Sequence, residues 1–541
     1  MIKFEKLSGS RIIIFCWDNP LIEGYYLNLL NEIAKHIDIF PMVIATSFLS
    51  KLRLIKDGIH AFTYHELINF SLESHSTEQD ISRRFSREIL KDLSNYDMRV
   101  GWKWIPQQNL SDEEFYLYQS STILKAYNFI WQHFKPHLAM TWNGVTLFQK
   151  TLSLLAHTHD VPVLFFERGL LPQTLYVDTE GVNYKSSLAG DKWFNNKIPY
   201  SSGKKIAMAK DYCQKIKAEK KSVVDIGEKK SVREIKKKLN IRASDKVILF
   251  PMQIEADSNI LYFSPHYSKM IEIIKDIQRA IAQFKDIQLI VKLHPEDKNR
   301  LNELRSLTNN STHLLDDVNL YSLFELADLI ITVNSTVGLE ALLFEKPVIV
   351  LGKAIYSEKG FTYDLLEKQN LSNLVKIALE KHNFSKKDFY RFIIYISKHQ
   401  LFQLNPDQDY FNSRRTIAKK IVELMEKHEL ISNDIDEIII SKLSENIRFQ
   451  KIFNKGKTVI LGPIDEKLEV IFGKPSEKIL HSKEAIKFLL YNLSSKNKPD
   501  LVLTAKPLSV KRRILFKLIK SDMKVLLTDN DLKFVKNAAV I

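Results

Sequence analysis

"VNSTVGLEALLFEKPVIVLG", residues 333–352, reads as the end of a buried strand, a tight polar turn, an apolar helix and a second buried strand. A β-branched run that gives way to a short helix and then to another apolar run is the repeating unit of a parallel α/β layer. Ser335, Thr336 and the backbone amides up to Gly338 fall at the start of the helix, at the carboxyl edge of the sheet. Unpaired N–H groups and the helix dipole favour an anion there, and a phosphate suits them well. Gly338 would let a ligand approach the backbone. Ser335 equally fits a plain N-cap, whose hydroxyl serves only the helix's own amides.

The same logic runs outward in both directions. Within this block "KVILFPM" (246–252), "IQLIVKLHP" (287–295), "LADLIITV" (326–333) and "KPVIVLG" (346–352) read as strands. A helix over 265–284, with Ser264 as N-cap before Pro265, and an amphipathic helix over 411–428 complete it. Upstream, "RIIIFCW" (11–17), "FPMVIA" (40–45), "HLAMTW" (137–142) and "VPVLFFE" (161–167) read as strands, with helices over 21–36 and 111–133 between them. Downstream, "KTVILGP", "LEVIFGK", "DLVLTAK" and "MKVLLTD" form a third, smaller and basic α/β block. The expected architecture is therefore α/β, with doubly wound domains over residues 1–225 and 226–430 and a small domain over 431–541. A lysine-rich stretch over 214–243 reads as a linker with a helix in it.

Composition narrows the classes. A chain of 541 residues exceeds one compact core, and 45% apolar with 26% charged residues is ordinary for a globular protein. Its apolar runs are strand-sized, far below the roughly 20 residues of a spanning helix, and the N-terminus lacks a signal-peptide pattern. Two cysteines, Cys16 and Cys213, exclude a disulfide framework and a cysteine-based zinc site. These readings make a cytoplasmic enzyme the expectation. The formal charge of +15 suits nucleic acid, an anionic membrane surface or anionic substrates. No nucleic-acid motif is visible, so nucleic acid is not an expected partner. Lysine runs such as 215–221 and 233–239 serve either as solvated faces or as a membrane contact.

Two other stretches carry chemistry. In "VKLHPED" (291–297) Lys292 and His294 alternate at the end of a strand that Pro295 stops, so both would reach a ligand crevice. His294 is also compatible with a structural hydrogen bond. "FFERGLLPQTLYVDTEGVNYKSS" (165–187) places Glu167 straight after two phenylalanines and Asp178 eleven residues on. Burial would raise the proton affinity of Glu167, although it could instead pair with Arg168. Asp178 alternatively suits a turn former. "TWNG" (141–144), "GWKWIP" (101–106) and "WDNP" (17–20) offer polar and aromatic groups for a sugar, with core packing the alternative for each. "HTHD" (157–160) sits where a helix must turn into a strand, and no convincing Asp-x-Asp loop ends a strand. No metal is expected.

"KLHP" (292–295), "PMQIEADSNI" (251–260), the stretch from Asn334 to Asp364 and "FERGLLPQTLYVDTEGVNYKSS" (166–187) resemble the capsule polysaccharide biosynthesis proteins that are retaining β-Kdo transferases (Kdo, 3-deoxy-D-manno-octulosonic acid). The resemblance covers roughly residues 130–365 with motif order and spacing kept. It implies a GT-B-like fold, in which two Rossmann-like domains face a cleft.

It also implies CMP-β-Kdo as donor substrate, without a cofactor, held by His294, Lys292 and the Ser335–Thr336–Gly338 turn. Glu340 would meet the ribose or base, and Gln253 and Asp257 would line the donor cleft, unless they merely form a polar turn. Asp178 matches the family's nucleophile position. Glu167 would act as general base on the acceptor hydroxyl or orient the intermediate. Asn183, Trp142 and Asn143 are acceptor-side candidates. The acceptor would be lipid-linked or a growing saccharide, and the enzyme would sit in the cytoplasm, peripheral to the inner face of the inner membrane. Two alternatives stand beside this reading: a polymerase of the same fold using CMP-sialic acid, and a non-catalytic glycan-binding or export-complex subunit.

Overall fold

The structure, a computed structural model, describes residues 9–73, 85–106, 109–190, 203–219, 227–367, 370–380, 385–427, 435–443 and 446–447, together with four short strands beyond residue 457. It divides into two compact units, residues 1–142, 146–163 and 418–541 in the first, and residues 143–145 and 164–417 in the second. Residues 164–225, expected with the N-terminal domain, thus fall in the second unit.

In the first unit, β1 (Ser10–Cys16), β2 (Ile39–Ala45), β3 (His60–Thr63) and β4 (Leu138–Thr141) form a parallel sheet in the order β4-β1-β2-β3. These strands are buried along their whole length, which is why they read as continuous apolar runs rather than alternating ones. Helices α1 (Pro20–Ile33), α2 (Phe48–Lys56), α3 (Tyr64–Glu73), α4 (Arg87–Val100), α5 (Asp112–Phe134) and α6 (Leu147–Thr158) connect them. Local chemistry sets their starts. Asn19 caps α1 ahead of Pro20, and Ser111 with Glu114 closes a capping box on α5. The His-x-His stretch has structural duties: His157 Nδ1 lies 2.6 Å from Ser153 O, and His159 stacks on Trp131.

The second unit opens with an antiparallel hairpin, β5 (Val163–Arg168) and β6 (Thr174–Asp178). Helices α7 (Gly203–Glu219) and α8 (Val232–Leu239) occupy the described part of the lysine-rich stretch. A six-stranded parallel sheet follows, from β7 (Lys246–Pro251), β8 (Ile287–Lys292), β9 (Thr312–Leu315), β10 (Leu329–Thr332), β11 (Val348–Val350) and β12 (Tyr363–Asp364). Its order is β12-β11-β10-β7-β8-β9. Around it lie α9 (Ser258–Phe263), α10 (Met270–Ile281), α11 (Leu301–Arg305), α12 (Leu320–Leu326), α13 (Thr336–Leu343), α14 (Leu371–Glu380) and α15 (Lys386–His399). The strand β13 (Leu401–Gln403) pairs antiparallel with β6; α16 (Ser413–Glu426), the helix expected over 411–428, begins in this unit, and its residues from 418 onward belong to the first.

One boundary differs from expectation. Ser264 and Pro265 do not open a helix: Ser264 ends α9, and α10 starts at Met270, capped at Lys269. The Ser264 hydroxyl donates to Tyr267 O at 2.5 Å, holding the chain in a turn across the proline.

The four strands of the third block, β14 (Thr458–Leu461), β15 (Glu477–Ile479), β16 (Leu501–Thr504) and β17 (Met523–Leu526), pair in parallel in the order β15-β14-β16-β17. The expected strand "LEVIFGK" lies outside the described residues.

Candidate functional site

The two carboxylates of residues 165–187 lie on one tight hairpin. Gly169 N–H donates to Thr174 O at 2.9 Å, and Thr174 Oγ1 donates to Leu171 O at 2.6 Å, closing the connection. A Cβ on Gly169 would meet Thr174 Oγ1 at 1.8 Å, so only glycine fits. The register sets Glu167 opposite Tyr176 and Asp178 opposite Phe165, which puts all four side chains on one face.

From this shared face the carboxylates go separate ways. Asp178 is 2% exposed, and six donors reach it. They are the Tyr176 hydroxyl (3.1 Å), the amides of Glu180 (2.7 Å), Gly181 (3.3 Å) and Ser187 (3.2 Å), the Ser187 hydroxyl (2.7 Å) and Gln400 Nε2 (3.0 Å). A carboxylate offers about four lone-pair positions, and these six donors crowd them. The turn-former reading of Asp178 is the one these bonds realise. Glu167 is half-buried; its Oε1 accepts the N–H of Arg168 at 2.9 Å, a backbone bond. Burial pushes its pKa up to about 7, helped by the negative charge of Asp257 and opposed by the Arg168 amide, the Arg168 charge and the Asn143 side chain.

The donor-side residues surround the topological switch point of the six-stranded sheet. β7 is flanked by β10 on one side and β8 on the other, so loops leaving β7 and β10 diverge there, as in open α/β sheets that bind ligands at this place. Gln253 and Asn334 join the two exits. Gln253 Nε2 donates to Asn334 Oδ1 at 3.0 Å, and Asn334 N–H donates to Gln253 Oε1 at 3.1 Å. Gln253, expected to line the donor cleft, is instead buried and committed to this clasp. Asp257 caps α9 by accepting from Asn259 N–H at 2.7 Å; burial of the carboxylate raises its pKa, opposed by the Asn259 amide and by His294. His294 is half-buried, and its Nδ1 accepts the Glu296 amide at 3.3 Å. In the neutral ring that bond leaves Nε2 as the nitrogen that carries the proton.

Ser335 is the N-cap of α13, its hydroxyl accepting from Val337 N–H at 3.2 Å, and Thr336 is the first helical residue; both are half-buried. Three expectations are corrected here. The space beside Gly338 is already filled, because the Tyr356 hydroxyl stands 2.1 Å from where its Cβ would be and donates to Ser335 O. Glu340 is 1% exposed and accepts from the Tyr321 hydroxyl at 3.3 Å, which ties it into the interior of the unit. Lys292 is buried with Nζ donating to Asp316 O at 2.7 Å, a tie between β8 and the loop after β9.

On the acceptor side, Trp142 is 6% exposed and packs between Tyr25 and Tyr26 of the first unit, the core alternative. Asn143 is half-buried and bonded to Glu167. Asn183 adopts φ 55° at the start of a one-turn 3-10 helix. Glu167, Asn143, Asp257 and His294 are thus the predicted residues that the second unit brings into electrostatic contact. Sequence reading missed Asn334, Tyr356 and Gln400, whose roles depend on partners 21 to 222 residues away.

Residues 191–384 match the model of the family described as "Capsule polysaccharide biosynthesis protein". Capsule polysaccharide export protein KpsS of Escherichia coli is 29% identical over 123 residues, 21% of this chain and 31% of that protein. Protein FixF of Sinorhizobium fredii is 26% identical over 198 residues, 36% of this chain and 43% of that protein. The chain therefore spans less than half the length of these curated relatives. Among solved structures, a KpsC beta Kdo 2,7 transferase of Thermosulfurimonas dismutans aligns with a TM-score of 0.36 and 15% identity, over 55% of this chain and 90% of that one. The resemblance read from the sequence to capsule polysaccharide proteins is matched by these findings. The carboxylate hairpin lies just N-terminal to the family-model match.

Proposed function

We propose that this chain is a glycosyltransferase of capsule or related surface polysaccharide synthesis, moving Kdo from CMP-β-Kdo to a lipid-linked or growing saccharide acceptor. Residues 226–430 would supply the donor-binding half, in a GT-B arrangement. The observation that carries the reading is Glu167: a half-buried carboxylate whose pKa is pushed up to about 7 by burial, bonded to Asn143 and within the field of the Asp257 charge. Such a group exchanges protons readily at neutral pH.

Glu167 would take the proton of the acceptor hydroxyl as its oxygen bonds to the anomeric carbon. CMP leaves with the electron pair of the broken C–O bond, and the proton passes from Glu167 to water. His294 Nε2 and the Ser335–Thr336 turn would hold the CMP phosphate. A donor with a single phosphate does not require a metal clamp on its leaving group, so transfer is expected to persist in EDTA.

This single displacement inverts the anomeric centre and gives an α-linked product; retention would ask for a carboxylate nucleophile, the role implied for Asp178. Attack from Asp178 would first require Gln400 and the Ser187 hydroxyl to let go, so we assign Asp178 to anchoring the hairpin instead. Membrane contact would be peripheral: no helix among the described residues is long and apolar enough to cross a membrane, and the chain is strongly basic.

The test is CMP release and product mass with synthetic Kdo-terminated and glycerol-lipid acceptors, using CMP-Kdo against CMP-sialic acid, followed by intact mass of the protein. Consumption of CMP-Kdo alone is expected. Release from neither donor sinks the reading. A Kdo adduct mapped to Asp178 overturns the anchor assignment and restores the nucleophile.

A further inference from the structure

The first unit has a switch point of its own, and the transfer chemistry above makes no use of it. β1 has β2 on one side and β4 on the other, so the loops leaving β1 and β4 part company at that edge. Pairing of Ile14 with Met140 brings Cys16 level with Trp142, and Trp17 follows at once. Trp142 is buried, but Trp17 and Trp102 are each half-buried. Their rings continue into a strip. Tyr96 lies 5.6 Å from Trp102, Trp102 lies 5.8 Å from Trp17, and Trp104 lies 5.5 Å from both tryptophans.

The backbone that presents Trp102 and Trp104 is locked from beneath. Gln119, fully buried on α5, accepts the Trp104 amide at 2.6 Å, and its Nε2 lies 3.5 Å from Trp102 O. The Tyr64 hydroxyl donates to Trp104 O at 2.9 Å, and Asp97 O accepts the Trp102 amide at 2.8 Å. The Asp97 carboxylate, also fully buried, accepts from Leu147 N–H at 2.7 Å at the start of α6. Burial pushes its pKa up to about 7, with the Leu147 amide and the Trp104 indole opposing. Burying a glutamine to fix the backbone from Trp102 to Trp104 is costly unless that stretch must hold a set position. Enclosure in a core would account for Trp104 but not for the partial exposure of Trp17 and Trp102.

An amphipathic ring wall at a sheet's carboxyl edge, with a few fixed polar groups, is the usual makeup of a small-molecule site. A pyranose matches it, since its axial C–H bonds form an apolar face and its hydroxyls point outward to water and polar neighbours. We propose that Trp17 and Trp102 form a saccharide-stacking subsite in the first unit, taking one pyranose ring of the acceptor. Only the identification of that ring as the acceptor's rests on the transferase reading; the stacking itself does not.

The full-length protein would be titrated with methyl β-glycosides of Kdo and of N-acetylglucosamine, following tryptophan fluorescence, with sn-glycerol 3-phosphate as a ringless control. A saturable fluorescence change is expected with at least one glycoside and none with the control. Trp102→Ala is expected to weaken binding about tenfold, with Trp102→Phe restoring most of it and circular dichroism unchanged in both. The absence of a saturable change with either glycoside, or wild-type binding by Trp102→Ala, overturns the subsite. A response to the control equal to that of the glycosides overturns ring stacking. Glycoside binding in a protein that releases no CMP would fault the transferase reading and leave the subsite standing.

Discussion

The two strands of the β5–β6 hairpin each carry a carboxylate on the same face, Glu167 next to the last residue of β5 and Asp178 at the last of β6, yet their surroundings differ in kind. At the end of β6, Asp178 is enclosed by six donors and no solvent. Near the end of β5, Glu167 has an Arg168 amide, an Asn143 side chain and a neighbouring negative charge that hinders its ionisation. A carboxylate surrounded by donors is a fastening. One that is half-buried beside another acid is a proton exchanger. Residue type and position alone do not separate these roles, and the number of donors does.

The largest effect should come from Glu167→Gln, which keeps shape and removes the exchangeable proton. Transfer should fall about 10²- to 10⁴-fold while thermal stability holds, measured by CMP release beside calorimetry. An unchanged rate would erase the contrast. Asp178→Ala should do the converse first: stability drops by roughly 3–5 kcal/mol in denaturant titration, because six donors lose their acceptor. A variant that is inactive at full stability would move Asp178 into the chemistry.

The third prediction concerns pH. The proton affinity of Glu167 is higher folded than unfolded, so the native state binds more protons between about 4.5 and about 7. Stability therefore falls as pH rises through that window and is flat above it, by roughly 3 kcal/mol at most. Denaturation of wild type and Glu167→Gln at pH 5 and pH 8 should show a shallower decline in the variant. Activity that needs the ionised base should rise through about pH 7. The smallest effect is expected from Gln400→Ala, which removes one of six donors to Asp178: about 1 kcal/mol in stability, with transfer retained.

Much of the architecture was legible because parallel strands buried on both faces leave continuous β-branched runs, as in "RIIIFC" and "KVILFP". What escaped was short or held by distant partners. β6 (TLYVD) lies within a polar stretch and owes its place partly to β13, which joins it from more than 220 residues away. Gly338 looked like an opening for a ligand because Tyr356, the side chain that fills it, becomes a neighbour only in the fold. Ser335 was legible as a cap, since a cap is a local matter. The proton affinity of Glu167 was legible in direction from the phenylalanines before it, whereas the charge of Asp257 was not.

The glycine that closes the hairpin has one more consequence. Because Gly169 admits no side chain and fixes the connection length, the spacing between Glu167 and Asp178 cannot be tuned one residue at a time. Insertion or loss of a single residue there would turn one carboxylate to the opposite face of the sheet. The pair is therefore inherited whole or lost whole. Lineages that change sugar or acceptor would be expected to vary the surrounding loops while carrying this hairpin at constant length.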